Sequence, residues 1–226
     1  LSDRMTDSEY VGSSDVQQML EDRPYHIAPS LHLGVSLRSF RSEKLADFVK
    51  ALLNEDITAA RALYAALHPT YPIVMTRDLA RAKAWVRGKV RGTERAGMLA
   101  SSKAKRLRSV GVWVNVQRDP VAWFLNEPVN ADASCFLEVP ATEFEVQGLE
   151  IDYGLLSWDA DLRYCNGGFD YFDCRGARWM HVNKEDGKKY LKNAYRVLLT
   201  RARQGLVIYI PEGDPDDLTR LSEYYD

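Results

Sequence analysis

The sequence predicts a three-layer α/β fold built on a mainly parallel sheet. Two observations carry that expectation. Short apolar runs alternate with amphipathic helical stretches along most of the chain. Residues that cap helices stand where several of those runs end.

Residues 1–30 are polar, hold Gly12, Pro24 and Pro29, and read as a connecting segment with one short helix near Val16 to Leu20. Residues 31–226 are expected to form one domain. Leu33, Val35 and Leu37 alternate as a strand does. Leu45, Phe48, Val49, Leu52 and Leu53 then mark one helical face, with Ser42 as its N-cap. An alanine-rich helix is expected from Ile57 to about Leu67. Ile73 to Met75 reads as a strand, and Asp78 can cap a helix from Leu79 to Val86. Gly97 to Ala100 repeats the scheme, with Ser101 or Ser102 opening a basic helix from Lys103 to Arg108. A looser stretch with Trp113 and Trp123 precedes strands expected at Cys135 to Val139 and at Ile151 to Leu156.

An excursion over about residues 159–183 is rich in Gly and aromatics. That composition favours a structural hairpin on the sheet, the alternative being a flap over nucleic acid. The run from Asn193 to Arg203 reads as a helix that carries arginine at its end and feeds the buried strand Leu206 to Ile210. A guanidinium clamped on such an element is a fixed charge suited to a phosphate. The alternative is a solvated helical face.

Composition narrows the options. The chain is 46% hydrophobic and 27% charged with a net charge of −2, so any contact with nucleic acid must rest on local patches. No apolar run reaches membrane-spanning length, and no membrane partner is expected. The 3 cysteines are scattered and argue for reduced thiols in a cytoplasmic setting. Cys165, Cys174 and His181 lack a Cys-x-x-Cys pair, so no metal site is expected there.

Three segments carry a resemblance. Thr142-Glu143-Phe144-Glu145-Val146-Gln147-Gly148-Leu149-Glu150 leads into an apolar run and resembles motif V of superfamily 1 helicases. Tyr195-Arg196-Val197-Leu198-Leu199-Thr200-Arg201-Ala202-Arg203 resembles motif VI, and Leu37-Arg38-Ser39-Phe40-Arg41-Ser42 resembles motif IV. The wording is nearer still to the Schlafen group-three DNA/RNA helicase-like domain. Thr76-Arg77-Asp78-Leu79, Leu99-Ala100-Ser101-Ser102 and Asp217-Leu218-Thr219-Arg220 share its flavour, from about Leu31 onward. No Gly-x-x-x-x-Gly-Lys-Ser/Thr loop occurs: Gly88-Lys89 and Gly187-Lys188 are followed by Val and Lys.

The resemblance implies a RecA-like P-loop NTPase fold, the second helicase domain, without the Walker A loop. It implies the C-terminal half of an ATP-dependent helicase or translocase, whose N-terminal RecA-like domain lies upstream and shares ATP and Mg²⁺ with it. Arg201 would be the arginine finger, and Arg41 or Arg38 a second phosphate contact. Gly148 would admit the nucleotide, and Glu150 would accept from its ribose. Thr142 would touch a single strand of DNA or RNA, joined by Thr76, Arg77, Ser101, Ser102 and Lys103 in the connections beside strand ends. These connections and Gly148 to Glu150 are expected to share one functional edge. Phe144 and Gln147 stand where the commoner pattern has His and Lys. That departure motivates a second reading, a sensing module that does not unwind. The chain alone is expected not to hydrolyse ATP.

Overall fold

The computed structural model describes His26 and residues 40–114, 119–126 and 129–226, with the backbone alone at residues 40–43. Two units divide at Phe40/Arg41, and residues 41–226, with the helix that opens them, form the larger.

Helices α1 (Phe40–Leu53) and α2 (Ile57–Leu67) lead into strand β1 (Ile73–Thr76). Helix α3 (Leu79–Lys89), β2 (Ala96–Ala100), a 3₁₀ turn (Lys105–Val110) and α4 (Pro120–Leu125) follow. Then come β3 (Ile151–Ser157), β4 (Leu162–Cys165), β5 (Gly168–Arg175), β6 (Arg178–His181), α5 (Glu185–Leu199) and β7 (Ala202–Tyr209). The main sheet is parallel throughout, in the order β1-β7-β3-β2.

Strand side chains alternate between two faces, and each face has its own core. Leu206 and Ile208 of β7 pack with Leu156 of β3 against Leu45, Val49 and Leu53 of α1 and Leu191 and Leu198 of α5. Val207 and Tyr209 pack with Leu155 and Met98 against Ala82 and Val86 of α3. Helices therefore cover both faces, which is the three-layer α/β arrangement expected. The excursion forms a separate antiparallel sheet, β4-β5-β6, the hairpin that its composition favoured.

Several boundaries differ from the sequence expectation. Ser42 lies inside α1, which starts at Phe40, and so is not its N-cap. Asp78 does cap α3, accepting from the Arg81 amide at 3.0 Å. After β2, Ser101 Oγ accepts from the Lys103 amide, and the basic segment becomes a 3₁₀ turn ended by Gly111 at φ 84°, not an α-helix. The strand expected at Cys135 to Val139 is a short 3₁₀ turn at Ser134–Phe136, because Leu137 takes φ 62° and turns the chain away. Pairing beside β2 is left to Ala141, whose amide donates to Met98 O at 2.8 Å. The helix expected at Asn193 to Arg203 spans Glu185–Leu199, so Arg201 sits in the bend that enters β7. The strand near Leu33 and the helix near Val16 lie outside the described residues.

Candidate nucleotide and nucleic-acid edges

A parallel sheet has two chemically different edges, and the motif residues divide between them. Thr76 ends β1 and Arg77 follows it, and Ser101 to Lys103 follow β2, at the carboxyl ends of the strands. Gly148 to Glu150 run into the amino end of β3, and Arg201 into the amino end of β7. A single shared edge is therefore not what the fold builds. Gly148 to Glu150 begin a strand instead of leaving one.

At the amino edge, Arg201 is 8% exposed and its Nη1 donates to Leu149 O at 2.7 Å. The guanidinium is not held outward at a helix tip, as the sequence reading had it, because the helix ends two residues earlier. Gly148 takes φ 79°, a left-handed value that glycine adopts without cost, and open space lies where a Cβ would stand. Glu150 lies 3.7 Å from Arg203 Nη1. Arg203 also donates to Asp152 Oδ1 at 2.8 Å, where Gln204 joins it at 3.0 Å. Burial would raise the Asp152 carboxyl. The Arg95 amide, Gln204 and Arg203 outweigh burial and hold it below its ordinary value.

At the carboxyl edge, Thr142 is 3% exposed, and both its amide and its hydroxyl donate to Glu145 Oε2, at 2.8 and 2.9 Å. This Thr-x-x-Glu arrangement ties off the turn locally. Glu143 is also 3% exposed. Its carboxylate accepts from Ser102 N and Oγ and from the Tyr190 hydroxyl. The buried carboxylate is stable there because three donors replace water. Arg77 donates to Pro211 O at 2.7 Å and reaches Asp226, while Thr76 Oγ1 accepts from the Asp78 amide. Lys103 lies 3.7 Å from Asp173 of β5. Arg38 falls outside the described residues, and at Arg41 only the helical backbone is described.

Trp123 is buried and donates to Val139 O, Trp85 packs edge-on to Tyr153, and Trp158 packs 4.3 Å from Tyr195. These tryptophans belong to the packing and do not form a platform for bases. Among the described residues no group of three His, Cys, Asp or Glu could hold a metal ion. Nor is any helix among them long and apolar enough to cross a membrane.

Sequence reasoning missed a buried acidic pair just past β3. Asp159 and Asp161 are both 0% exposed. Tyr225 and the amides of Ala160 and Arg106 donate to Asp159. Tyr195 donates to Asp161. Burial, then the neighbouring Asp159 charge, pushes Asp161 up to about 7. The signal was present as an Asp-x-Asp run directly after an apolar strand.

A family model described as Schlafen group 3, DNA/RNA helicase domain, matches residues 3–212. No curated protein and no solved structure matches the chain.

Proposed function

The chain belongs to the Schlafen group 3 DNA/RNA helicase domain family, and from that premise we propose that it is a RecA-like lobe of an ATP-driven motor acting on DNA or RNA. Nucleotide meets the amino edge, shared with a second lobe, and a single strand meets the carboxyl edge. One observation carries the reading: the segment Thr142 to Glu150 spans the sheet from edge to edge. At one end Thr142 is tied to Glu145, and Glu143 to Ser102 and Tyr190. At the other, Leu149 is clamped by Arg201 and Glu150 pairs with Arg203. A displacement at either end is transmitted through a segment held at both.

The residues fit ATP in part. Open space at Gly148, a carboxylate at Glu150 and guanidiniums at Arg201 and Arg203 suit ribose and phosphates. The phosphate-cradling loop and the Mg²⁺ ligands belong to the second lobe. ATP supplies the phosphoryl transfer, and an arginine finger is worth ~10³–10⁵ in its rate. In this reading Arg201 exchanges the Leu149 carbonyl for phosphate. The experiment is ATP turnover by the two-lobe protein with Arg201→Ala, against Arg203→Ala as a neighbour on the same strand. Undiminished turnover in Arg201→Ala would refute the finger role.

One observation favours a second reading, a sensing module that does not unwind: Arg201 is nearly buried and already engaged by Leu149. Strand-displacement assays separate the two. Nucleotide turnover stimulated by a strand, without displacement, selects the sensor.

A further inference from the structure

We propose that the groove between the β5–β6 hairpin and the start of α5 binds a single-stranded polynucleotide. The proposal rests on the lobe reading above and gives its strand a specific seat.

Four separated segments build the groove: the Ser102 to Lys105 turn after β2, Phe144, the hairpin, and the first turns of α5. Its volume is about 690 Å³, room for a nucleotide-sized group. The charge on its walls opposes that of the whole chain. Lys103, Lys105 and Arg175 all gather on one carboxylate, Asp173, at 3.7, 3.6 and 3.2 Å, and Lys184 stands at the opposite wall. Asp173 is the one carboxylate among the lining residues, with Glu143 tied behind Ser102 and Tyr190 and with Glu185 and Asp186 following Lys184. The four cations therefore make the groove's lining itself positive in a chain whose net charge is −2. A phosphodiester backbone supplies the missing negative charge at repeated intervals.

The second feature is a mounted ring. Phe144 is 60% exposed and stacks on Tyr190, with centroids 6.0 Å apart and planes at 27°. Tyr190 is fixed in turn by its hydrogen bonds to Glu143 and Ser102. An exposed apolar ring on a rigid backing, beside cations, is the pairing by which single strands are held: bases stack while lysines follow the phosphates. A duplex hides its base faces, and an acidic peptide offers none, so a single strand uses the groove more fully than either. The hairpin then serves as a wall of the strand's path as well as an ornament of the sheet.

The experiment measures fluorescence anisotropy of labelled oligo-dT and oligo-U, each of roughly fifteen nucleotides, with the chain and its variants. Lys105→Glu with Lys184→Glu is expected to weaken binding at least ~10-fold and to lower the salt slope by roughly one to two. Phe144→Ala is expected to weaken binding roughly 5-fold to 100-fold with the salt slope unchanged. Arg91→Glu, at the opposite edge, is the control and binds as the parent chain does. Circular dichroism confirms that each variant is folded, and the exposure of Phe144 makes its truncation safe. Wild-type affinity in the groove variants overturns the groove and leaves the lobe reading standing. Failure of the parent chain to bind either oligonucleotide overturns the groove as well, and the lobe reading then stands or falls on turnover in the two-lobe protein. Equal competition by polyglutamate, with Phe144→Ala neutral, replaces the polynucleotide with a general polyanion and also overturns the proposal.

Discussion

The Tyr195 hydroxyl donates to Asp161 Oδ1 at 2.6 Å, and neither residue touches solvent. Tyr195 projects from α5 and Asp161 from the turn after β3, so the bond ties the helix to the carboxyl edge of the sheet. The tie is made with an acid that resists ionisation. Burial raises its carboxyl first, and the charge of Asp159, two residues away and equally buried, raises it further.

Stability should therefore fall as pH rises. The Asp161 carboxyl goes from an unfolded value of 3.8 to about 7 in the fold. Between those values the folded state binds more protons than the unfolded one, so each step upward in pH costs stability. The contribution is fully present below the unfolded value and is lost by the time pH passes the folded one. Asp161→Asn removes the ionisation. Urea melts should show the variant gaining on the parent between roughly pH 4 and 7, by a few kcal/mol at most. Parallel pH profiles for the two proteins would show that Asp161 does not titrate in this window.

Two glycines should respond to alanine for different reasons. A Cβ on Gly97 would lie 2.9 Å from the Trp123 ring, inside the core. Overpacking of that kind typically costs about 1–3 kcal/mol. At Gly148 there is open space, and the cost is confined to holding φ 79° with a side chain, about 1–2 kcal/mol. Asparagine tolerates that conformation, so Gly148→Asn should recover part of the loss, whereas no residue should rescue Gly97. Equal behaviour of Ala and Asn at position 148 would contradict the backbone explanation.

The sheet was legible because its code is local. β1 and β3 follow from apolar runs, the start of α3 from the Asp78 cap, and α2 from its alanine content. The strand at Cys135 to Val139 was misread because apolar periodicity does not report a left-handed residue such as Leu137. The motif segments could be located in the sequence, but which edge each occupies could not. Edge assignment depends on strand direction and order, which are long-range properties. The acidic pair stayed hidden for the same reason: Asp159 and Asp161 look like loop residues until Tyr195 and Tyr225 arrive from distant segments to cover them.

The Thr142 turn offers a test of local support. Glu145 accepts both Thr142 donors through one oxygen. Glu145→Gln keeps the shape and one oxygen acceptor but loses the charge that strengthens both bonds. The expected loss is about 1 kcal/mol, read from chemical denaturation. Glu145→Ala leaves a buried threonine amide and hydroxyl without acceptors and should cost about 2–3 kcal/mol. If both variants match the parent, the turn is held by the rest of the segment and not by its carboxylate.

At the amino edge, Asp152 and Arg203 share one ion pair but should not share one cost. The Arg203 side chain is 54% exposed, so Arg203→Ala removes a solvent-screened partner and should cost under about 1 kcal/mol. Asp152 is 9% exposed in its side chain and accepts from Arg95 N, Gln204 and Arg203. Asp152→Ala strands donors from three residues, two of them on β7, and should cost roughly 2–4 kcal/mol at neutral pH. The pH dependence has the opposite sign to that of Asp161. A carboxyl held below its ordinary value stabilises the fold above about pH 4, and that contribution fades as pH drops through the folded value. The gap between Asp152→Ala and the parent should therefore narrow in acid while the gap for Asp161→Asn also closes. Melts from neutral pH down to about pH 3 measure both trends. A gap for Asp152→Ala that stays constant with pH would mean that shape, and not charge, sets its worth.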